Sequence, residues 1–98
     1  MNRAEAIARL RGSAGAIKAR GATSLYLFGS TARNEARPGS DLDLFIDYDP
    51  EKKFSLVDLV GLKLLLEDEL GIGVDVTTRD SLHPMLRSEI ESSAVRVF

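Results

Sequence analysis

The sequence predicts a small α/β (α+β) fold, and two observations support that prediction. Segments with apolar residues at helical spacing predict helices, and between them lie short segments that predict strands. Some of these short segments are wholly apolar, and in others apolar and polar residues alternate. Hydrophobic residues make up 44% of the 98 residues and charged residues 29%, which is ordinary usage for a globular protein. We therefore expect residues 1–98 to form a single domain with one modest core.

The first third of the chain predicts a helix, a strand and a second helix. Residues 3–20 carry apolar side chains at spacings of three and four, which predicts one helix ended by the next glycine. Its apolar stripe consists of Ile7, Leu10, Ala14 and Ile17. Residues 24–28 are almost wholly apolar and predict a strand buried on both faces. A tight turn at Gly29 follows, and residues 31–36 predict a short helix with Ser30 near its N-cap.

Two later segments alternate in character and predict half-buried strands. Residues 41–48 place leucine, isoleucine and tyrosine on one face, and the opposite face carries Asp41, Asp43, Phe45 and Asp47. Residues 73–78 alternate again, with Asp75 on the polar side. Because aspartate is depleted in strands, its place on two polar faces suggests a role beyond solubility.

Helix signals surround the second of these strands. A leucine-rich helix is predicted from an N-cap at Ser55 to Gly71. Pro84 suits the first turn of a last helix, and residues 95–98 predict a short terminal strand. The only histidine, His83, precedes that proline and predicts a local turn or capping role instead of catalysis.

Composition excludes several classes of function. The chain has no cysteine, so a thiolate metal site and a cysteine nucleophile are excluded, and any metal must be bound by oxygen. The net charge of −2 argues against stand-alone nucleic-acid binding. No segment reads as a signal peptide or a membrane span, which predicts a cytoplasmic protein.

The aspartates predict a metal site. Asp41 and Asp43 stand two residues apart on one strand, so both carboxylates project to the same face and can ligate a divalent cation. Asp75 could complete a three-carboxylate cluster. Hard oxygen ligands favour Mg²⁺ or Mn²⁺, which take their remaining ligands from water and substrate phosphates.

The glycine turn predicts a phosphate cradle beside that metal. Gly29 and Ser30 lie between a strand and a helix N-terminus, where backbone N–H groups and the helix dipole favour anions. Arg33, one turn further on, can reach a phosphate with its guanidinium, and Arg37 is a weaker second candidate. A lone Gly-Ser turn or Asp-x-Asp pair is usually only a turn or a solvated face; the ordered combination is what predicts a site.

The sequence resembles the signature of the minimal nucleotidyltransferases, within the DNA polymerase beta-like superfamily, in two stretches: Gly29-Ser30-Thr31-Ala32-Arg33 and Arg37-Pro38-Gly39-Ser40-Asp41-Leu42-Asp43-Leu44. The resemblance continues to Val74-Asp75-Val76 and so covers nearly the whole chain. One departure is Asn34-Glu35, where many relatives have a glycine. The resemblance implies a nucleotidyltransferase fold, a small mixed β-sheet with helices packed on one face and the three aspartates on the open face.

The resemblance also implies a reaction, the transfer of a nucleoside monophosphate, most often AMP from ATP, to an acceptor hydroxyl. Asp41 and Asp43 would hold one Mg²⁺ and, with Asp75, a second one, with Mn²⁺ as a possible substitute. The phosphates would lie at Gly29, Ser30 and Arg33.

Small members of this family are similar to antitoxins that pair with a HEPN-domain ribonuclease toxin and attach AMP to it. Larger relatives use an extra domain to bind the acceptor, so the resemblance implies that a partner protein presents it here, in a hetero-oligomer. Two alternatives stay open: a non-catalytic antitoxin that binds its toxin through the apolar helix, and a nucleotidyltransferase acting on a small molecule or RNA.

Overall fold

The predicted strands form one mixed sheet. The computed structural model describes residues 1–98, with four strands in the order β3-β2-β1-β4. Their bounds are Ala22–Phe28 (β1), Leu42–Tyr48 (β2), Val74–Thr78 (β3) and Val95–Arg96 (β4). Strand β1 runs antiparallel to β2 and β4, whereas β2 and β3 are parallel. The expected mixed sheet is confirmed.

Five α-helices accompany the sheet. Their bounds are Arg3–Gly12 (α1), Ala14–Ala19 (α2), Gly29–Ala32 (α3), Leu56–Leu70 (α4) and Pro84–Ser93 (α5), and a 3₁₀ turn, Arg79–Ser81, follows β3. None of the helices combines the length and the hydrophobicity needed to cross a membrane.

The core lies between one face of the sheet and helices α1, α2 and α4. A cluster of 16 buried apolar residues joins these elements. Its strand members alternate along β1 and β2, and the fully buried ones are Leu25, Leu27, Leu42, Leu44 and Ile46. Leu62 and Leu66 supply the inner face of α4, whereas Leu64 is 60% exposed. The prediction that helices pack on one face of the sheet is confirmed for α1, α2 and α4.

The single helix predicted over residues 3–20 is wrong in one respect, because it breaks at Ser13. Gly12 and Gly15 flank the break, and glycine weakens a helix interior. The Ser13 hydroxyl also donates a hydrogen bond to the Glu69 carboxylate of α4, a partner that no local pattern reveals. The two shorter helices still bury Leu10 and Ile17 in the same core.

The second face of the sheet is partly aromatic. Phe45, predicted on the polar face of β2, is fully buried, which corrects the half-buried assignment at that position. The Tyr26 ring stacks on it at 4.8 Å between centroids, and the Phe28 ring lies at 5.7 Å. Strand β1 therefore buries Leu25 and Leu27 completely on one face, but Tyr26 and Phe28 only partly on the other.

Arg79 covers this aromatic patch and fastens α5 above it. Its guanidinium lies 4.7 Å from the Tyr26 ring centroid and 4.9 Å from that of Phe45. It donates to both carboxylate oxygens of Asp47, at 2.8 and 3.1 Å, and to Glu91 of α5 at 2.6 Å. These hydrogen bonds hold the pKa of Arg79 above its ordinary value, with that to Asp47 the strongest cause. Helix α5 therefore lies across the aromatic part of this face.

The caps of the two long helices agree with the sequence. Ser55 and Asp58 form a reciprocal capping box at the start of α4, and Gly71 ends that helix with a φ of 70°. His83 caps α5, where its Nδ1 accepts the Met85 N–H at 3.2 Å. The predicted capping role of the histidine is confirmed.

Candidate active site

The three predicted aspartates lie at one end of the sheet, on the face opposite the core. Asp43 of β2 and Asp75 of β3 are direct neighbours in the parallel ladder. Asp41 precedes β2 and lies beside Gly73, because the Leu42 N–H donates to the Gly73 carbonyl at 3.0 Å. The leucines and valines between these aspartates are buried in the core, so alternation directs all three carboxylates to the other face.

Two glycines make room for two of these carboxylates. A Cβ at Gly29 would lie well inside 3.0 Å of the Asp43 carboxylate, and one at Gly73 would approach the Asp41 carboxylate as closely. Gly29 also has a φ of +75°, which L side chains rarely adopt. The sequence predicts a role at the phosphates for Gly29 but none for Gly73, whose place opposite Asp41 follows only from the strand register.

The carboxylates repel one another electrostatically. Burial raises the pKa of Asp43 above its ordinary value, the charges of Asp75 and Asp41 raise it further, and nearby Arg33 lowers it. A bound cation would relieve this repulsion. The surroundings therefore favour a positively charged ligand.

The donor set fits a hard divalent cation, although the carboxylates do not converge into a three-ligand cluster in this structure. The Asp41 carboxylate packs against Gly73 and that of Asp43 against Gly29, on opposite sides of β2. Mg²⁺ usually binds one or two protein carboxylates together with waters and substrate phosphates, so a preformed cage of three carboxylates is not required. These residues could thus hold Mg²⁺ or Mn²⁺ in the presence of a triphosphate.

The helix that follows the glycine turn at Gly29 is shorter than predicted. Helix α3 spans Gly29–Ala32 in place of residues 31–36, and its N-cap residue is Phe28, two residues before Ser30. The chain already turns at Gly29, which brings Ser30 into the first turn, where backbone N–H groups have no partner within the helix. The helix ends early because Asn34 adopts a φ of 59°.

That conformation also accounts for the departure from the family signature. A φ near 60° is the left-handed region in which glycine is common and asparagine is tolerated better than most residues. Asn34 therefore adopts a backbone conformation suited to the glycine of many relatives. Its side-chain oxygen also accepts the Arg3 N–H at 3.3 Å, which ties the turn to α1.

The two candidate arginines differ in position. Arg33 is close enough to lower the pKa of Asp43, and its Nε donates to Glu35 at 3.1 Å. Both side chains of that ion pair are more than half exposed, so the pair is weak and Arg33 is available to a phosphate. Arg37 forms no ion pair; its backbone N–H donates to the Ser40 hydroxyl at 3.1 Å.

A set of hydrogen bonds from α4 that holds the start of β3 in place was not predicted from the sequence. Glu67 of α4 accepts the Val74 N–H and the Lys63 ammonium, both at 3.0 Å, and Lys63 donates to the Val74 carbonyl at 2.6 Å. The hydrogen bond from Val74 is the main reason that the pKa of Glu67 is lowered. This contact fixes the start of β3 next to Asp75. Its only sequence signal was the i, i+4 spacing of the lysine and the glutamate.

Comparison with known proteins identifies the family. The family model of the nucleotidyltransferase domain matches residues 10–97. The chain belongs to the nucleotidyltransferase family. As a nucleotidyltransferase it is an enzyme, and the resemblance inferred from the signature is confirmed.

The nucleotidyltransferase has relatives in archaea. MJ0435 of Methanocaldococcus jannaschii, provisionally named a protein adenylyltransferase, is 48% identical over 71 residues, which cover 72% of this chain and 74% of the relative. The protein adenylyltransferase MntA of Thermococcus cleftensis is 37% identical over 62 residues, or 63% of this chain and 61% of MntA.

Solved structures confirm the fold. A provisionally assigned minimal nucleotidyltransferase superposes with a TM-score of 0.81 at 36% identity, covering 97% of this chain and 95% of that one. A toxin–antitoxin structure with AMP-PNP shares the fold with a TM-score of 0.71 at 19% identity, covering 100% of this chain and 73% of that one.

Proposed function

We propose that this nucleotidyltransferase moves AMP from ATP to a hydroxyl of a partner protein in a Mg²⁺-dependent reaction. The observation that carries the proposal is the pairing of Asp43 with Asp75, next to Asp41 and directly against the Gly29 turn. This proximity of the carboxylates to the glycine turn supports a site that holds a metal-bound triphosphate. The names of the relatives, protein adenylyltransferases, support AMP transfer to protein.

In the proposed reaction the acceptor hydroxyl oxygen bonds to the α-phosphorus. The bond from that phosphorus to the bridging oxygen breaks, pyrophosphate leaves with the electron pair, and the hydroxyl proton is released. Asp41 and Asp43 would hold one Mg²⁺ and, with Asp75, a second one. Bound Mg²⁺ would offset triphosphate charge and lower the pKa of the acceptor hydroxyl. Backbone N–H groups at Gly29 and Ser30, with the Arg33 guanidinium, would orient the phosphates and stabilise the leaving charge.

The acceptor would come from outside this domain, in a hetero-oligomer. Asp41 and Asp75 are exposed, so a hydroxyl on another molecule can reach them. Two structures with this fold are a toxin–antitoxin complex and a tri-AMPylated Shewanella oneidensis HEPN toxin with its MNT antitoxin. We take a HEPN-type toxin as the proposed partner, and the cytoplasm, where ATP is available, as the proposed compartment.

A second candidate function is neutralisation of the toxin by contact alone. The outer face of α4 exposes a run of large apolar side chains: Leu56 at 75%, Val57 at 79%, Val60 at 47% and Leu64 at 60%. Such a stripe suits a protein interface. Contact and AMP transfer could therefore reside on different surfaces of one antitoxin.

The test is a labelling experiment on the co-expressed pair. The purified chain and its partner are incubated with ATP labelled at the α-phosphate, with Mg²⁺, with Mn²⁺ or with a chelator. We expect label on the partner in both metals and none with the chelator. The Asp41→Asn, Asp43→Asn double variant should lose labelling, whereas Asp68→Asn, an exposed carboxylate on α4, should keep it.

Toxin neutralisation in cells separates the two candidates. Loss of neutralisation in the double aspartate variant supports AMP transfer, and full neutralisation by that variant supports contact. Transfer of label to RNA or to an aminoglycoside, with the partner unlabelled, would contradict AMP transfer to a protein.

A further inference from the structure

The outer face of helix α4 carries an apolar stripe that no other part of the chain covers. Leu56, Val60 and Leu64 follow one another at intervals of four residues, so they share one face of the helix, and they are 75%, 47% and 60% exposed. Val57, at 79%, widens the stripe at its start. We propose that this stripe binds the same stripe of a second copy of the chain, with the two α4 helices antiparallel across a two-fold axis at Val60.

Polar groups border the stripe on both sides. On the side of β3, Lys63 and Glu67 form an ion pair at 3.0 Å. On the side of α2, the Arg20 guanidinium lies across Gly61, where its Nη1 would be 2.6 Å from an added Cβ. An apolar centre with a polar rim is the usual composition of a protein interface.

The charges at the two ends of the stripe point to a second copy as its partner. Lys52 stands four residues before Leu56, and Asp68 stands four residues after Leu64. Both charged residues are exposed, and neither forms an ion pair within the chain. In an antiparallel pair, Leu56 of one copy faces Leu64 of the other, and the end with Lys52 meets the end with Asp68. A parallel pair would bring like charges together at both ends.

Pairing through α4 leaves both active sites open. The helix packs on the core face of the sheet, and the three aspartates lie on the opposite face. The outer face of α4 therefore points away from them. Dimerisation is thus independent of the proposed AMP transfer, but it competes with neutralisation by contact, which would use the same stripe for the toxin.

The size of the stripe sets the strength of the dimer. Helix α4 has 15 residues and is roughly 22 Å long, and each copy contributes the four exposed apolar side chains. A single pair of helices of this length lies at the small end of specific interfaces, below about 1,200 Å² in total. We therefore expect a reversible dimer with a dissociation constant on the order of 10–100 µM.

Sedimentation equilibrium of the full chain alone, over concentrations that bracket this constant, measures the association. The mass should rise from 10.7 kDa toward twice that value. Val60→Lys places two ammonium groups at the two-fold axis and should weaken the dimer about 100-fold. Met85→Lys, at an apolar position of α5 that is 86% exposed, is the matched control and should associate as wild type does. Circular dichroism checks that both variants fold.

Charge reversal at the ends tests the antiparallel arrangement. Lys52→Glu and Asp68→Lys should each weaken the dimer roughly ten-fold at low ionic strength, because each creates a like-charge contact at both ends. An equimolar mixture of the two single variants should associate more tightly than either alone, since each end then joins opposite charges. The double variant should recover wild-type affinity, and high salt should remove all these differences.

A wild-type chain that stays monomeric throughout the range would overturn the inference, as would a folded Val60→Lys variant that dimerises normally. If the isolated chain is monomeric and Val60→Lys abolishes binding to the toxin, the stripe belongs to the toxin instead of a second copy. Dimers that respond to neither charge reversal nor mixing would contradict the antiparallel pairing.

Discussion

Replacing Gly29 with alanine should have two separable effects at the glycine turn. The backbone there has a φ of +75°, and an added Cβ would also meet the Asp43 carboxylate. The first effect acts on stability and the second on the site. Two matched glycines separate them: Gly71 has a φ of +70° with nothing within 4 Å, and Gly73 has no positive φ but faces the Asp41 carboxylate.

The expected magnitudes follow from these contacts. A Cβ in the left-handed region costs about 1–2 kcal/mol, which for a domain of this size lowers Tm by roughly 4–16 °C. Gly71→Ala should show that loss alone. Gly29→Ala should lower the free energy of unfolding by roughly a further 1–3 kcal/mol, which is the usual cost of overpacking. Displacement of Asp43 should also reduce the transfer rate on the order of 100-fold. Gly73→Ala should reduce transfer with a smaller loss of stability.

Thermal unfolding in a chelator measures stability, and AMP transfer with Mg²⁺ measures the site. Gly71→Ala should be destabilised yet active below its Tm, whereas Gly29→Ala should be less stable still and transfer AMP about 100-fold more slowly. Equal Tm values and equal transfer rates for these two variants would refute the claim that Gly29 makes space for Asp43.

Three further changes test the supports of the site. Phe45→Ala should lower the free energy of unfolding by about 3–5 kcal/mol in urea titration, because the ring is fully buried; a loss below about 1 kcal/mol would contradict its place in the fold. Glu67→Gln should destabilise the fold at pH 7, and the difference from wild type should shrink as pH falls below 4.5. Its folded pKa lies below the ordinary 4.5, so the stabilisation by the Val74 N–H is present above that pH and is lost as pH falls through the folded value; a pH-independent difference would argue against this linkage. Arg79→Met should increase amide hydrogen exchange in α5 relative to α4, because the ion pair to Glu91 is lost; unchanged exchange in α5 would show that other contacts hold it.

Local sequence patterns predicted most of the elements. The capping box at Ser55 and the proline at position 84 mark helix starts correctly, because both signals act within one helical turn. Alternation likewise placed Asp43 and Asp75 on polar faces. What a local pattern cannot supply is which strands are neighbours, so the direct pairing of these two aspartates required the parallel register.

The features that the sequence did not reveal depend on distant partners. The break at Ser13 has its partner in Glu69, 56 residues away. Phe45 is buried because Arg79, in the 3₁₀ turn after β3, covers the aromatic patch to which Phe45 belongs. In each case the local sequence predicts the environment of a side chain from nearby residues alone. The actual environment is formed by residues that are distant in sequence and adjacent in the fold.

The most direct test of AMP transfer is the intact mass of the partner protein after incubation with the wild-type chain, ATP and Mg²⁺. The account predicts that the partner gains the mass of one or more AMP groups, and that it gains none with the Asp41→Asn, Asp43→Asn variant. A partner that binds the wild-type chain and is neutralised by it, yet keeps its unmodified mass, would contradict AMP transfer as the function of this site.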